Sequence, residues 1–333
     1  MRATLTQIAK RAGVSTAAVS QVLNNHPHAQ TLRPETRKRI LEAVRELGYC
    51  RNENAAEIRT GVTKTIALLL EFGHSSVHGE AAGEILMGLL NAASESGYNV
   101  KVCNAADLEH TRRELLKYRI QYAVCFAFSR LLQHEIGEFC RDRKISLCYI
   151  QESGRDDFPL VYSDDRAAMR EVARLLLAEG HRRIAVVKPE DDVRYSVERC
   201  TGVAEGLREH GLKLELISAH YDPQDHFADL ERWFDLPEPE RPTAFVCTDD
   251  NRAAEVLITA LRLGIRIPEQ CRIFGFGDTI AGRLYFPVGT VSQPFKEMGE
   301  AAVKIVTARK SEEAGKVPLL HLFPAVLKDP GRK

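Results

Sequence analysis

The 333-residue sequence predicts an all-α helix-turn-helix head followed by an α/β body of two doubly wound parallel-sheet subdomains. Three observations carry this reading. Capping residues, a turn glycine and helical spacing mark three short helices within residues 1–48. From Thr65 on, β-rich apolar runs alternate with amphipathic helical patterns, as parallel sheets covered on both faces require. The charge is divided as well. Residues 1–64 carry 11 Lys/Arg against 5 Asp/Glu and the remainder 35 against 41, a basic head on an acidic body in a chain of zero net charge. Such a head suits a polyanionic partner.

In the head, Thr4 and Gln7 have capping-box spacing and start a helix over about Leu5–Arg11. Gly13 supplies the turn, and Ser15 caps a second helix over Thr16–Leu23. A third starts at Pro34, a favoured first-turn residue, and stops at Gly48. Its Ile40, Leu41, Val44 and Leu47 recur at helical spacing and are expected to close a small core. The second helix is short of bulky apolar residues. Beyond Val19, Val22 and Leu23 it presents Thr16, Ala17, Ser20 and Gln21, a small, uncharged polar strip. This strip fills a core poorly and suits close approach to another surface, as a helix entering a major groove must make.

"LTQIAKRAGVSTAAVSQVLN" followed by "PETRKRILEAVRELGY" resembles the head of the lactose-repressor (LacI/GalR) family of transcription regulators. The likeness continues through "IRTGVTKTIALLL" and more loosely to the end of the chain. It implies that Thr16, Ala17 and Gln21 face base edges and that Ser15, Ser20 and Asn24 meet phosphates. A glutamine can pair with adenine through two hydrogen bonds in the major groove. Ala18 stands where the family usually has Thr, and Gln21 where it commonly has Arg.

Three divisions follow: head 1–50, hinge and linker 51–64, and an effector-binding and dimerisation body 65–333. The hinge, "YCRNENAAEIRTG" from Tyr49, is too polar and too short to hold a helix alone. By resemblance it folds on DNA, with Ile58 as an apolar minor-groove wedge and Ala55 where paired hinges touch. Arg51 replaces a usual Pro there.

The body's strand candidates fall into two sets, 65–70, 98–103, 122–128 and 145–150, then 159–163, 183–188, 212–217, 243–247 and 271–276. Two successive sets imply two sheets with a ligand cleft at the strand carboxyl ends. The resemblance makes the body periplasmic-binding-protein-like. It divides the body into one subdomain of about 65–160 and 292–320 and another of about 161–291 and 321–333. It also places Arg199, Tyr221, Asp249, Gln151 and Gln293 at the effector. Gly277 stands where a diol-binding Asp is usual, with Asp278 shifted by one, and Ala127 replaces a common polar position. Among the small effectors the resemblance implies (sugar, sugar acid or phosphosugar), an arginine kept while a carboxylate is lost points to a less hydroxylated or more acidic one, such as a sugar acid or phosphosugar.

Catalytic signatures are missing from the sequence. "GFGDTIAG" does not meet G-x-G-x-x-G spacing, and neither G-x-x-x-x-G-K-[ST] nor G-x-S-x-G occurs. His74 and His78 share helical spacing without a third ligand, so no metal is expected, and Asp249–Asp250 reads as a helix start. The eight cysteines include no C-x-x-C pair, and Cys103, Cys125, Cys148 and Cys247 sit in apolar runs as small buried hydrophobes. No secretory signal or 18-residue apolar run appears, so the expected location is cytoplasmic. The partners expected are a palindromic DNA operator, a small effector and a second copy of the chain, with no cofactor and no membrane. Two other classes fit parts of the pattern. One is a solute-binding module, which leaves the basic head unexplained. The other is a DNA-bound regulator whose degenerate cleft yields control to a protein partner.

Overall fold

The computed structural model describes residues 3–24, 27–49, 61, 63–71, 76–152, 157–189, 194–219, 228–279, 288–308 and 320–329. The chain divides into two units, 1–62 and 63–333.

The first unit holds α1 (Leu5–Ala12), α2 (Thr16–Leu23), a 3₁₀ turn (Pro27–Thr31) and α3 (Pro34–Glu46). The caps form as their residues dictate. The Thr4 N–H donates to Gln7 Oε1 at 2.8 Å while Gln7 N–H donates to Thr4 Oγ1 at 3.3 Å. Gly13 closes α1 at φ 67°, a left-handed conformation that favours glycine. Ile8, Ala9, Ala12, Val19, Val22, Ala29, Ile40 and Ala43 form the core. Leu41 and Leu47, expected inside, are 45% and 38% exposed. The two-turn helices α1 and α2 are too short to cover the whole of a 13-residue α3, and Ala43 takes the buried stripe with Ile40.

In the second unit, six parallel strands form one sheet in the order β11-β5-β4-β3-β1-β2. These are β1 (Thr65–Leu70), β2 (Asn99–Asn104), β3 (Tyr122–Phe126), β4 (Ser146–Ile150), β5 (Leu160–Ser163) and β11 (Leu320–Phe323). A second parallel sheet, ordered β7-β6-β8-β9, comprises β6 (Ile184–Pro189), β7 (Glu215–Ala219), β8 (Ala244–Cys247) and β9 (Arg272–Phe274). β10 (Thr290–Ser292) and β12 (Val326–Lys328) pair antiparallel. The sequence grouped 159–163 with the second sheet. Leu160–Ser163 instead pairs with β4 and β11 in the first, because Leu160 and Val161 each complete one of that sheet's two cores. β5 and β11 thus lie a few residues beyond where the sequence placed the change of subdomain.

Alternate residues of β1 show why these strands read as unbroken apolar runs. Ile66, Leu68 and Leu70 face α4 (Ser76–Glu95) and α11 (Phe295–Ala308), while Ala67 and Leu69 face α5 (Leu108–Lys117) and α6 (Arg130–Asp142). The second sheet is likewise covered by α7 (Asp165–Ala178) and α8 (Arg194–Arg208) on one side, and by α9 (Ala228–Phe234) and α10 (Asp250–Arg262) on the other. The chain crosses between the sheets three times, at 163–165, 292–295 and 323–326.

α4 and α11 touch through glycine. A Cβ on Gly88 would lie 2.0 Å from the Lys296 carbonyl oxygen, whereas one on Gly83, on the same helix, would meet nothing within 4 Å. Gly88→Ala is therefore expected to cost about 1–3 kcal/mol by overpacking against backbone. Gly83→Ala should gain up to about 1 kcal/mol from helix propensity. Chemical denaturation of the two variants checks both signs.

Candidate functional site

The outer face of α2 is set by its caps and its buried valines. Ser15 Oγ accepts from Ala18 N–H at 3.2 Å, which leaves the hydroxyl proton for an outside acceptor. Val19 and Val22 point into the core, so Thr16 and Ala17 are exposed and Ser20 and Gln21 half-buried on the other side. Asn24 donates to the Ser20 carbonyl at 2.6 Å and to Ser20 Oγ at 3.0 Å, which ties the last turn together. α2 carries no charged side chain; Lys10 and Arg11 end α1, and Arg33 stands at the start of α3. The structure thus presents Thr16, Ala17 and Gln21 as one uncharged surface with Ser15, Ser20 and Asn24 along it. The hinge candidates Ala55 and Ile58 lie outside the described residues.

In the second unit, Arg199 is the centre of a buried polar network. α8 places it one turn after Tyr195, only 6% exposed. Its Nε and Nη2 each lie 2.8 Å from Asp165 Oδ2, Nη1 donates to the Thr248 carbonyl at 2.6 Å, and Nη2 to Gln293 Oε1 at 3.2 Å. The guanidinium lies 3.7 Å from the Phe276 ring centroid and 4.7 Å from that of Tyr195. Gln293 Nε2 donates to Ser163 Oγ at 2.6 Å, and Gln151 Nε2 to the same oxygen at 3.0 Å. Ser163 in turn donates to Asp165.

Three residues that the sequence placed at the effector, Arg199, Gln151 and Gln293, belong to this network. Arg199 was expected as a cation open to a ligand; its charge is already neutralised by Asp165, because so deep a charge must be paired within the fold. Gln151 and Gln293 both hold Ser163 at the first crossover, and Gln151 also lines a cavity. Asp249 caps α10, accepting from Arg252 N–H at 3.1 Å and pairing with Arg252 Nη1 at 2.7 Å, as the helix-start reading expected. Asp278 turns to Lys328 on β12. Tyr221 and His74 lie outside the described residues, as does the side chain of His78. Asp165 and Ser163 escaped the sequence reading, although "YSDD" at a strand-to-helix junction was a usable signal.

Two further contacts span the cleft between the sheets. Glu152, just past β4 and 3% exposed, accepts from Tyr195 N–H at 2.9 Å at the start of α8. The Tyr195 ring meets Phe128, just past β3, edge to face at 6.1 Å. Burial pushes the Glu152 carboxyl up to about 7, opposed by the Tyr195 hydrogen bond and by Arg194, Arg130 and Arg199. A cavity of about 290 Å³ opens beside them, lined by residues that include Gln151, Ser163, Tyr195, Arg194 and Glu198.

Among the described residues no cluster of three or more His, Cys, Asp or Glu could hold a metal ion, and no helix is long and apolar enough to cross a membrane. The seven described cysteines are buried thiols outside any disulfide; burial pushes the thiols of Cys140 and Cys271 up to about 12.

A helix-turn-helix unit together with a two-sheet body enclosing a polar cleft is the plan of a ligand-responsive DNA-binding regulator. The pattern of bacterial regulatory proteins of the lacI family matches residues 4–52, and that of the periplasmic binding protein-like domain matches residues 173–327. The transcriptional regulator AglR of Rhizobium meliloti is 30% identical over 84% of this chain and 79% of its own. The regulator RegA of Clostridium saccharobutylicum is 26% identical over 92% of each chain. The repressor PurR of Erwinia tasmaniensis is 26% identical over 98% of this chain and 95% of its own. Among solved structures, the Lac repressor dimer bound to operator and the anti-inducer ONPF superposes with a TM-score of 0.80 at 20% identity, over 99% of this chain and 98% of that one. A complex of the regulator CelR with cellobiose gives 0.67 at 22% identity over 98% of each. The chain belongs to the LacI family: it is a DNA-binding transcriptional regulator with an effector-binding body, and not an enzyme.

Removing one partner of the buried Arg199–Asp165 pair strands the other charge. Arg199→Ala is expected to destabilise the body by about 3–5 kcal/mol. The Arg199→Met/Asp165→Asn double variant should lose less than the two single changes added together. Equilibrium unfolding of the set measures the coupling.

Proposed function

We propose that this regulator binds a palindromic operator as a homodimer and that a small carbohydrate-like effector in the body cleft controls its affinity. The observation that carries the operator half is the uncharged face of α2. Thr16, Ala17 and Gln21 are short or flexible enough to approach base edges, and Ser15, Ser20 and Asn24 lie beside them, where in this reading they meet phosphates. Without an arginine on that face, discrimination falls to Gln21, whose amide matches adenine. The Lac repressor solved as a dimer on its operator supports the dimeric reading, since two heads related by a two-fold axis read matched half-sites. In this reading Ile58 and Ala55 meet the minor groove between the half-sites.

The effector half rests on the cleft and on relatives solved with cellobiose and ribose. A ligand acts only if it binds two arrangements of the body unequally, and its coupling to the operator is then reciprocal. Neutralisation of Arg199 and Arg252 within the fold favours a hydroxylated ligand over a sugar acid or phosphosugar.

Selection of binding sites from random duplexes at fixed salt tests the operator half. A two-fold symmetric site supports it; enrichment of no sequence, with only salt-sensitive binding, counts against it. Gln21→Ala is expected to cost about 1–3 kcal/mol at one base step in each half-site and to relax preference there, leaving the other positions unchanged. Repeating the selection with the variant reads this directly.

A further inference from the structure

We propose that the cleft takes a polyhydroxylated ligand bearing an ammonium group, anchored by the Glu152 carboxylate between the end of β4 and the start of α8. This deepens the effector reading above and rests on it.

The charges facing the cleft are unevenly spent. Arg199 is neutralised by Asp165 and Arg252 by Asp249, so neither offers a free cation to an anionic ligand. Among the described residues no cation lies within ion-pair distance of Glu152, although that residue is almost fully buried. The charged groups that act on it are Arg194 and Arg199 of α8 and Arg130 at the start of α6, and they leave its carboxyl well above the ordinary carboxylate range. Arg194 itself lies 5.2 Å from the Tyr162 ring centroid, and the adjoining cavity wall also holds Asp164, Glu198 and Arg166, the last paired with Glu205. A buried carboxylate without a counter-ion gains most from a ligand that brings one.

Hydroxyl groups on the ligand are called for by a separate observation. The hydroxyls of Ser196, next to Tyr195, and of Thr248, whose carbonyl accepts from Arg199, are fully buried and make no hydrogen bond among the described residues. Buried polar atoms of this kind are normally satisfied, and a polyol can donate to them or accept from them. Phe128 and Tyr195 add aromatic surface for the ligand's C–H face.

The first test needs no ligand. Because the Glu152 carboxyl titrates near 7 in the folded chain and near 4.5 when free, the folded state holds an extra proton between those values. Its share of stability is complete below the free value and is lost as pH rises through about 7. Glu152→Gln keeps the acceptor for Tyr195 N–H and removes the charge. It should raise the melting temperature by a few degrees at pH 8 and leave it unchanged at pH 4. An unchanged melting temperature at pH 8 would mean that the carboxylate is already paired, and would overturn the proposal.

The second test uses 1-amino-1-deoxyglucitol, glucitol and gluconate, one carbon chain ending in an ammonium, a hydroxyl or a carboxylate. Each is titrated against wild type, Glu152→Gln and the charge-retaining Glu152→Asp at pH 8, reading melting temperature and operator release. The amine is expected to act at a concentration at least about tenfold lower than glucitol on wild type. That advantage should vanish in Glu152→Gln and survive in part in Glu152→Asp. Gluconate ranking first, or a ranking that Glu152→Gln leaves untouched, overturns the ligand class while the effector reading stands. No response to any of the three overturns the ligand class as well. The effector reading itself fails only if a small-molecule fraction of a cell extract is also without effect on operator binding.

Discussion

The body is organised around one buried cation. At its depth the Arg199 guanidinium cannot remain unpaired, and Asp165, Gln293 and the Thr248 carbonyl supply what water would have supplied. Those partners come from the first crossover, the second crossover and the end of β8. One side chain therefore ties two of the three links between the sheets to the second sheet itself. Gln151 and Ser163 extend the network to the end of β4, so a change in how the halves meet must rearrange hydrogen bonds that are individually directional. Such a network has few arrangements of comparable energy, which is what a two-state element needs.

The same constraint shapes the cleft. With Arg199 turned inward to Asp165, the described polar groups at the cavity wall include the Ser163 hydroxyl, the Gln151 amide, the Asp164 and Glu198 carboxyls and the Arg194 guanidinium, and Phe128 meets Tyr195 edge to face nearby. Glu152 and Tyr195 join the halves through a backbone hydrogen bond at a helix N-terminus, where the helix dipole favours an acceptor. Asp250, buried on α10, spends its oxygens on Thr279 and Thr290 and so holds the turn after β9 against β10. Burial holds its carboxyl above the usual range. Carboxylates are thus used here both as fixed structural acceptors and, at Glu152, as one that no cation among the described residues meets at ion-pair distance.

The head follows a different economy. Two-turn helices α1 and α2 depend on their caps and on a few small residues, so the core consists of alanine, valine and isoleucine at close approach. Because that core takes Val19 and Val22, the remaining face of α2 can be given entirely to small polar side chains. Positive charge is carried off that face, at the end of α1 and along α3, where it can meet phosphates without constraining which bases are read.

Local chemistry was legible in the sequence wherever a residue acts on its own neighbours. The Thr4 capping box, the Gly13 turn, the Ser15 cap, the bounds of α2 and the Asp249 cap all appear as their residues imply, because capping depends on atoms three or four positions away. The alternation of strands and helices was equally plain, since strands covered on both faces must be apolar throughout. Only the tertiary structure decided which sheet Leu160–Ser163 joins and that Leu41 and Leu47 stay outside the head core, since both depend on elements distant in the chain. It also decided that Arg199 is spent on Asp165. Sequence alone marked that arginine as important but gave no sign of what would neutralise it, because a partner 34 residues away is brought within 2.8 Å only by the packing of α7 on α8.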